Sequence, residues 1–177
     1  MSKPSLARPA STEYAPYHDK YISLIPDGDI IETLGQQGRA MLSLLASIPE
    51  AQANNRYAPD KWSIKEVVGH VIDCERIFAY RALRFARNDA SPQPGFDQDE
   101  YVRNAAFGEL QLADLASEFE HVRQASVCLL KSLTDEAWLR SGNANGVDLS
   151  VRGLAYVIAG HELHHVNILR TRYLGEA

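Results

Sequence analysis

Apolar residues recur along this chain at three- and four-residue steps in four long stretches, the spacing of one buried helix face. The first stretch runs from about Asp29 to Ser47, with Ile30, Leu34, Met41, Leu44, Leu45 and Ile48 on one stripe, and Pro49 ends it. Gly35 and Gly38 weaken it locally. The second has the clearest start signal. Ser63-Ile64-Lys65-Glu66 reads as a capping box, with Trp62 ahead of it as a staple residue. Ile64, Val67, Val68, Val71, Ile72, Phe78 and Phe85 follow, and the helix is expected to end near Asn88. The third spans about Leu110 to Leu133 and turns Leu112, Leu115, Phe119, Val122, Ser126, Leu129 and Leu133 inward. The fourth starts at Ser150 as cap and runs to about Arg172, with Leu154, Val157, Ile158, His161, His165, Ile168 and Leu169 on its stripe. Gly153 and Gly160 admit a close neighbour there. No strand pattern of comparable length interrupts the series, so the fold class is all-α, a four-helix bundle.

Between the helices the pattern breaks. Residues 1–24 are polar, hold Pro4, Pro9 and Pro16, and read as an extended arm anchored on the surface by Tyr14, Tyr17, Tyr21 and Ile22; residues 25–177 form the bundle domain. Asp89 to Gly108 is a long connection with a short helix around Asp97 to Arg103, a length at which connections often wrap a site. Thr134 caps a short turn through Trp138, and Gly142 to Gly146 is a plain turn signal.

Composition narrows the function classes. The chain has 177 residues, 45% hydrophobic and 23% charged, which fits one globular domain with a real core. A net charge of −5 argues against a nucleic-acid partner. Basic residues cluster only as Arg76, Arg81, Arg84 and Arg87, which with Glu75 and Asp89 read as a solvated helix face; an anionic substrate or partner is the sharper alternative. Cys74 and Cys128 form no CxxC pair and suggest no disulfide framework. No apolar signal core or membrane-length stretch is present, so a cytoplasmic protein without a membrane partner is expected.

Three histidines carry the chemistry. His161 and His165 are four residues apart and share one face, so they can bind one cation together. They continue the apolar stripe of the fourth helix and therefore point into the bundle. His70 flanks the apolar stripe of the second helix, and from there it would complete a three-histidine site with positions left for water or substrate. A lone buried histidine is ordinarily a hydrogen-bonded core residue, but three aimed at one interior are costly without partners. His164, three residues from His161, is an alternative ligand, and spacing leaves that choice open. His18 and His121 read as surface residues. His161-Glu162-x-x-His165 matches HExxH, the zinc peptidase pattern, but only twelve residues follow His165 to supply a downstream ligand. A di-iron bundle needs a second Glu-x-x-His, and His70 has Val67 three residues before it. Cys74, one turn after His70, is a fourth ligand, a nucleophile or a small buried hydrophobe.

Lys61-Trp62-Ser63-Ile64-Lys65-Glu66-Val67-Val68-Gly69-His70, Arg81 to Arg87, Pro94-Gly95-Phe96-Asp97 and Gly160-His161-Glu162-Leu163-His164-His165-Val166-Asn167-Ile168-Leu169 occur in this order over residues 25–173. Together they resemble the DinB-like (DinB/YfiT-type) family. The resemblance implies a four-helix bundle of DinB/YfiT-like topology and a divalent metal, zinc or nickel, on His70, His161 and His165. It thus favours His165 over His164. It also implies a small-molecule substrate such as a low-molecular-weight thiol, and a homodimer. The activity it suggests first is a thiol S-transferase, in which a metal-activated thiol attacks an electrophile. The alternatives are a hydrolase using a metal-bound water and a non-enzymatic metal-binding stress-response protein. Glu162 and His164 are the candidate proton acceptors.

Overall fold

The computed structural model describes residues 7–89 and 91–176. Seven α-helices are present among them: α1 (Asp19–Ile22), α2 (Ile30–Ser47), α3 (Ile64–Ala86), α4 (Gln98–Asn104), α5 (Leu112–Lys131), α6 (Asp135–Leu139) and α7 (Val151–Ile168). The last continues as a π-helical turn, Leu169–Tyr173. The four long helices α2, α3, α5 and α7 are those the apolar stripes predict. They close a ring in the order α2, α5, α3, α7, so the consecutive long helices α2 and α3 lie on a diagonal.

Local chemistry sets the helix starts. Ser63 Oγ accepts from the Glu66 amide at 3.2 Å, and Glu66 Oε2 accepts from the Ser63 amide at 2.6 Å, which closes the capping box of α3. Asp29 caps α2, Asp97 caps α4 and Ser150 caps α7. Ser141–Ala144 (β1) and Val147–Ser150 (β2) form an antiparallel hairpin in the register Ala144↔Val147, turning through Asn145 and Gly146 at φ 55° and 79°. Positive φ at both turn residues is the two-residue hairpin chemistry of Asn-Gly, and the strands are too short to show alternation. Gln93 pairs with this hairpin through Gln93 N to Asn143 O and Asn145 N to Gln93 O, both 2.9 Å. The long connection after α3 is therefore pinned across the end of the bundle.

The N-terminal arm is seated in the bundle. It makes two 3-10 turns (Ser11–Glu13 and Pro16–His18) before α1, and Ile22 and Ile25 are buried. Glu13 takes a 2.8 Å hydrogen bond from Ser150 Oγ and pairs with Arg152, tying the arm to the start of α7. Both glycines of α7 face the arm. A Cβ on Gly160 would sit 2.2 Å from the Tyr21 carbonyl oxygen, and one on Gly153 3.2 Å from the Glu13 carbonyl oxygen. The close neighbour of α7 is thus α1 and the preceding turn, not another long helix.

The interior is two apolar cores with a polar layer between them. Ile30, Leu34, Phe85, Leu130, Val151, Leu154 and Ile158 build one core; Met41, Leu45, Ile64, Val68, Ile72, Leu115, Phe119 and Leu169 build the other. Arg123 of α5 crosses the layer and is 4% exposed. Its Nε and Nη2 donate to the two oxygens of Glu75 on α3 at 2.9 and 2.7 Å, and Nη1 donates to the Leu34 carbonyl of α2 at 3.0 Å. Nη1 also lies 2.6 Å from Glu162 Oε2 on α7, an ion pair without hydrogen-bond alignment. Gly38 leaves the space, because a Cβ there would be 3.1 Å from Arg123 Cγ. The expected solvated face on α3 is corrected here. Glu75 and Arg81 are buried, and only Arg76 and Arg87 are exposed. Leu130, not Leu129, completes the α5 stripe.

Two outcomes follow. Arg123→Leu leaves two buried carboxylates without their cation, so it is expected to cost about 3–5 kcal/mol and to lower the thermal midpoint by about 10 °C; an unchanged midpoint would contradict the network. Gly160→Ala is expected to cost about 2 kcal/mol in urea unfolding, because α1 must lift off α7. A stabilised variant would mean α1 is not seated as described.

Candidate metal centre

His70 projects from the second turn of α3, and His161 and His165 from successive turns of α7. The helices are neighbours in the ring, and one ligand atom from each histidine lies within 4.8 Å of the others. His70 Nε2 and His161 Nε2 are 3.1 Å apart. Two such nitrogens repel as bare lone pairs, and a proton or a shared cation relieves this. A tetrahedral ion with bonds of about 2.1 Å spaces its nitrogens ~3.4 Å apart, close to this geometry. His165 Nδ1 is buried with no hydrogen-bond partner among the described residues. Three nitrogen donors, one orphaned ring nitrogen and no carboxylate in the group fit a divalent cation that accepts imidazole.

Burial sets the charge state. Desolvation lowers His70 to about 4. It lowers His165 to about 3, with His70 and His164 adding repulsion. His161 lies well below the ordinary imidazole value for the same leading reason, followed by the charges of His165 and His70. All three rings are neutral at pH 7, the form that binds metal. Aromatic rings box them in: Trp62 lies 4.7 Å from His70, and Tyr21 and Phe78 stand edge-on to His161 at 5.4 and 5.7 Å between centroids.

The other sequence candidates fall outside this group. Glu162 is 2% exposed and turned to Arg123, so its carboxylate sits in the polar layer rather than among the imidazoles. Burial raises its pKa against the pull of Arg123. His164 is half-buried beside the group, edge-on to Tyr21 at 5.6 Å and to His165 at 5.1 Å. Cys74 Sγ lies 3.6 Å from both nitrogens of His70, but it is not among the converging ligand atoms. Burial pushes its thiol up to about 12, so it is a neutral thiol in the wall. His121 is exposed, as expected. His18, read as a surface residue, is instead half-buried at a cavity, and its Nδ1 has no hydrogen-bond partner among the described residues.

That cavity, about 350 Å³, has His161, Cys74, Phe78 and Arg81 on one side and His18 and Phe96 on the other. A smaller one of about 200 Å³ reaches His165 past Trp62 and Tyr173. The histidine group thus lies between two openings. Arm and connection supply the outer walls, which helix periodicity could not reveal. Arg81 was visible in principle: Cys74, Phe78 and Arg81 follow His70 at four-, four- and three-residue steps along one face of α3.

Residues 33–169 match the DinB superfamily. No curated protein matches the chain. Among solved structures, the chain is similar to YfiT from Bacillus subtilis, described as a probable metal-dependent hydrolase with an unusual four-helix bundle topology. The TM-score is 0.63 at 15% identity, over 96% of this chain and 94% of that one. It is also similar to a mycothiol-dependent maleylpyruvate isomerase, with a TM-score of 0.67 at 12% identity, over 82% of this chain and 61% of that one. At these identities the two structures support the fold. The family match spans most of the chain, from the first turn of α2 through the histidine pair of α7, and this protein therefore belongs to the DinB superfamily.

Proposed function

We propose that this protein is a divalent-metal-dependent enzyme that acts on a small molecule by thiol S-transfer. The observation that carries the reading is a group of three neutral imidazoles, with no fourth protein ligand among the described residues, whose His161 forms part of a cavity wall. His70, His161 and His165 would hold the ion, with zinc or nickel suited to their nitrogen donors. A bound divalent cation supplies Lewis acidity, which lowers the pKa of a thiol or water brought to it.

The remaining residues favour thiol transfer over hydrolysis. Hydrolysis calls for a proton acceptor within hydrogen-bond reach of the attacking water. No carboxylate lines the cavity beside His161 among the described residues, Glu162 is paired with Arg123, and Asp60 and Asp99 line the smaller opening at His165 instead. We assign Glu162 the role of a positioning residue: its pairing sets the rotation of α7 and so the aim of His161 and His165. A thiol that ionises beside a cation needs no such base. Cys74 stays protonated and shapes the wall. Phe78, Phe96 and Tyr17 give the cavity an apolar, aromatic lining suited to the body of an organic substrate.

Purified wild type is expected to hold about one zinc or nickel per chain by elemental analysis, and His70→Ala and His161→Ala to lose it. Stoichiometric metal in either variant would overturn the site. The loaded wild type should couple a small thiol to an aromatic halide in a metal-dependent way and leave p-nitrophenyl esters untouched; the reverse pattern would favour a hydrolase.

Acid sensitivity should follow from the buried imidazoles. Their folded pKa values lie below the unfolded value of about 6.5, so below that pH the unfolded chain takes up protons that the folded chain does not. The metal-free protein is therefore expected to lose stability steadily as pH falls from 6.5 towards 4. His70→Ala should show a shallower loss in denaturant titrations, and an equal slope would mean that His70 is not held neutral.

A further inference from the structure

We propose that the cavity beside His161 binds a substrate through a carboxylate group, and that Arg81 is its anchor. This deepens the small-molecule reading above and rests on it for which end of the substrate faces the histidines.

Arg81 is 7% exposed, yet no carboxylate pairs with it among the described residues. Among the described residues its hydrogen bond runs from Nη2 to the Pro94 carbonyl at 2.7 Å, which fixes the guanidinium and leaves the second Nη2 N–H and one neighbouring nitrogen to form a fork. The group also lies 5.9 Å from the centre of the Phe96 ring, a second contact that holds its plane. Burying a cation without a counter-charge is costly, and elsewhere in this chain the cost is met: Arg123, enclosed on all sides, carries two carboxylates. Arg81 instead fronts open space of about 350 Å³. His18 lines the same cavity, and its buried Nδ1 has no hydrogen-bond partner among the described residues.

The chemistry favours a carboxylate over a phosphate. One guanidinium supplies a single positive charge in a planar fork, which matches a monoanionic carboxylate in two parallel hydrogen bonds. No lysine lines the cavity to neutralise a second charge. Arg81 follows His70 by eleven residues, about 16 Å of helix rise, and Cys74 and Phe78 lie between them on the same face. The Arg81 side chain leans back toward the start of α3 and shortens that span. A ligand anchored at Arg81 therefore reaches His161 only if several bonds separate its carboxylate from its reacting end.

The test is an NMR titration of 15N-labelled protein with hexanoate and with hexan-1-ol, its uncharged counterpart, on zinc-loaded and metal-free wild type and on Arg81→Gln. Hexanoate is expected to bind at least tenfold tighter than the alcohol in both forms of the wild type, with shifts at Arg81 and Phe96. Arg81→Gln should abolish the preference while keeping its metal content. Arg81→Lys, which keeps the charge and loses the fork, should retain about a threefold preference; it takes over should the glutamine variant not fold. A preference seen only with zinc and kept in Arg81→Gln would mean that the carboxylate ligates the metal, and would overturn the anchor. Equal binding of both probes would overturn it as well. The metal reading stands apart: a chain that binds no metal but keeps the preference retains the anchor and loses the proposed function, and a metal-binding chain without the preference does the reverse.

Discussion

Arg123 is the constraint on which the bundle turns. Its guanidinium touches α2, α3 and α7 from α5, so one planar group records the relative rotation of all four long helices. Hydrophobic contacts are non-directional and would tolerate a slip along the helix axes. A fork of hydrogen bonds to a buried carboxylate does not, because a shift of one turn leaves charges unpaired in an apolar interior. The net gain in stability from such a network is small. Its consequence is register, and register decides where the histidines of α3 and α7 meet.

The histidine group adjoins this polar layer, with apolar core on either side along α7. On α7, the core residues up to Ala159 give way to His161, Glu162 and His165 before Leu169 resumes the apolar stripe. On α3, His70 interrupts the apolar residues from Ile64 to Ile72, and Glu75 sits between them and Phe85. Glu162 and His161 are adjacent and face different partners, one Arg123 and the other His70. One ion network thereby holds the helix that carries two of the three imidazoles.

The walls around that group come from the parts of the chain without long-range periodicity. The Tyr21 carbonyl lies over Gly160, and its ring packs on His161. Gln93 ties the connection after α3 to the hairpin before α7, which sets Gly95 and Phe96 opposite the Cys74 face of α3. The cavity beside His161 is thus walled by short elements docked on the bundle, while the imidazoles themselves sit on two of its long helices.

Much of this was legible in the residues alone. Stripes at three- and four-residue steps specify the four helices, because burial of one face repeats with the helical period, and the caps at Ser63 and Ser150 mark two of their starts. The i, i+4 pair of His161 and His165 on such a stripe announces inward-facing imidazoles. Other features needed the tertiary structure. A charged residue on a stripe, as Arg123 is between Phe119 and Ser126, shows its burial only once its partners arrive from helices 48 residues before it and beyond. The Asn145-Gly146 hairpin is too short for its strands to show a pattern. The seating of His18 and Tyr21 against α7, and the burial of Arg81 without a counter-charge, depend on contacts across more than a hundred residues or beneath a folded connection. Local sequence determines which face of each helix is apolar; only the packed chain determines which polar groups share the interior and which are left facing an open cavity.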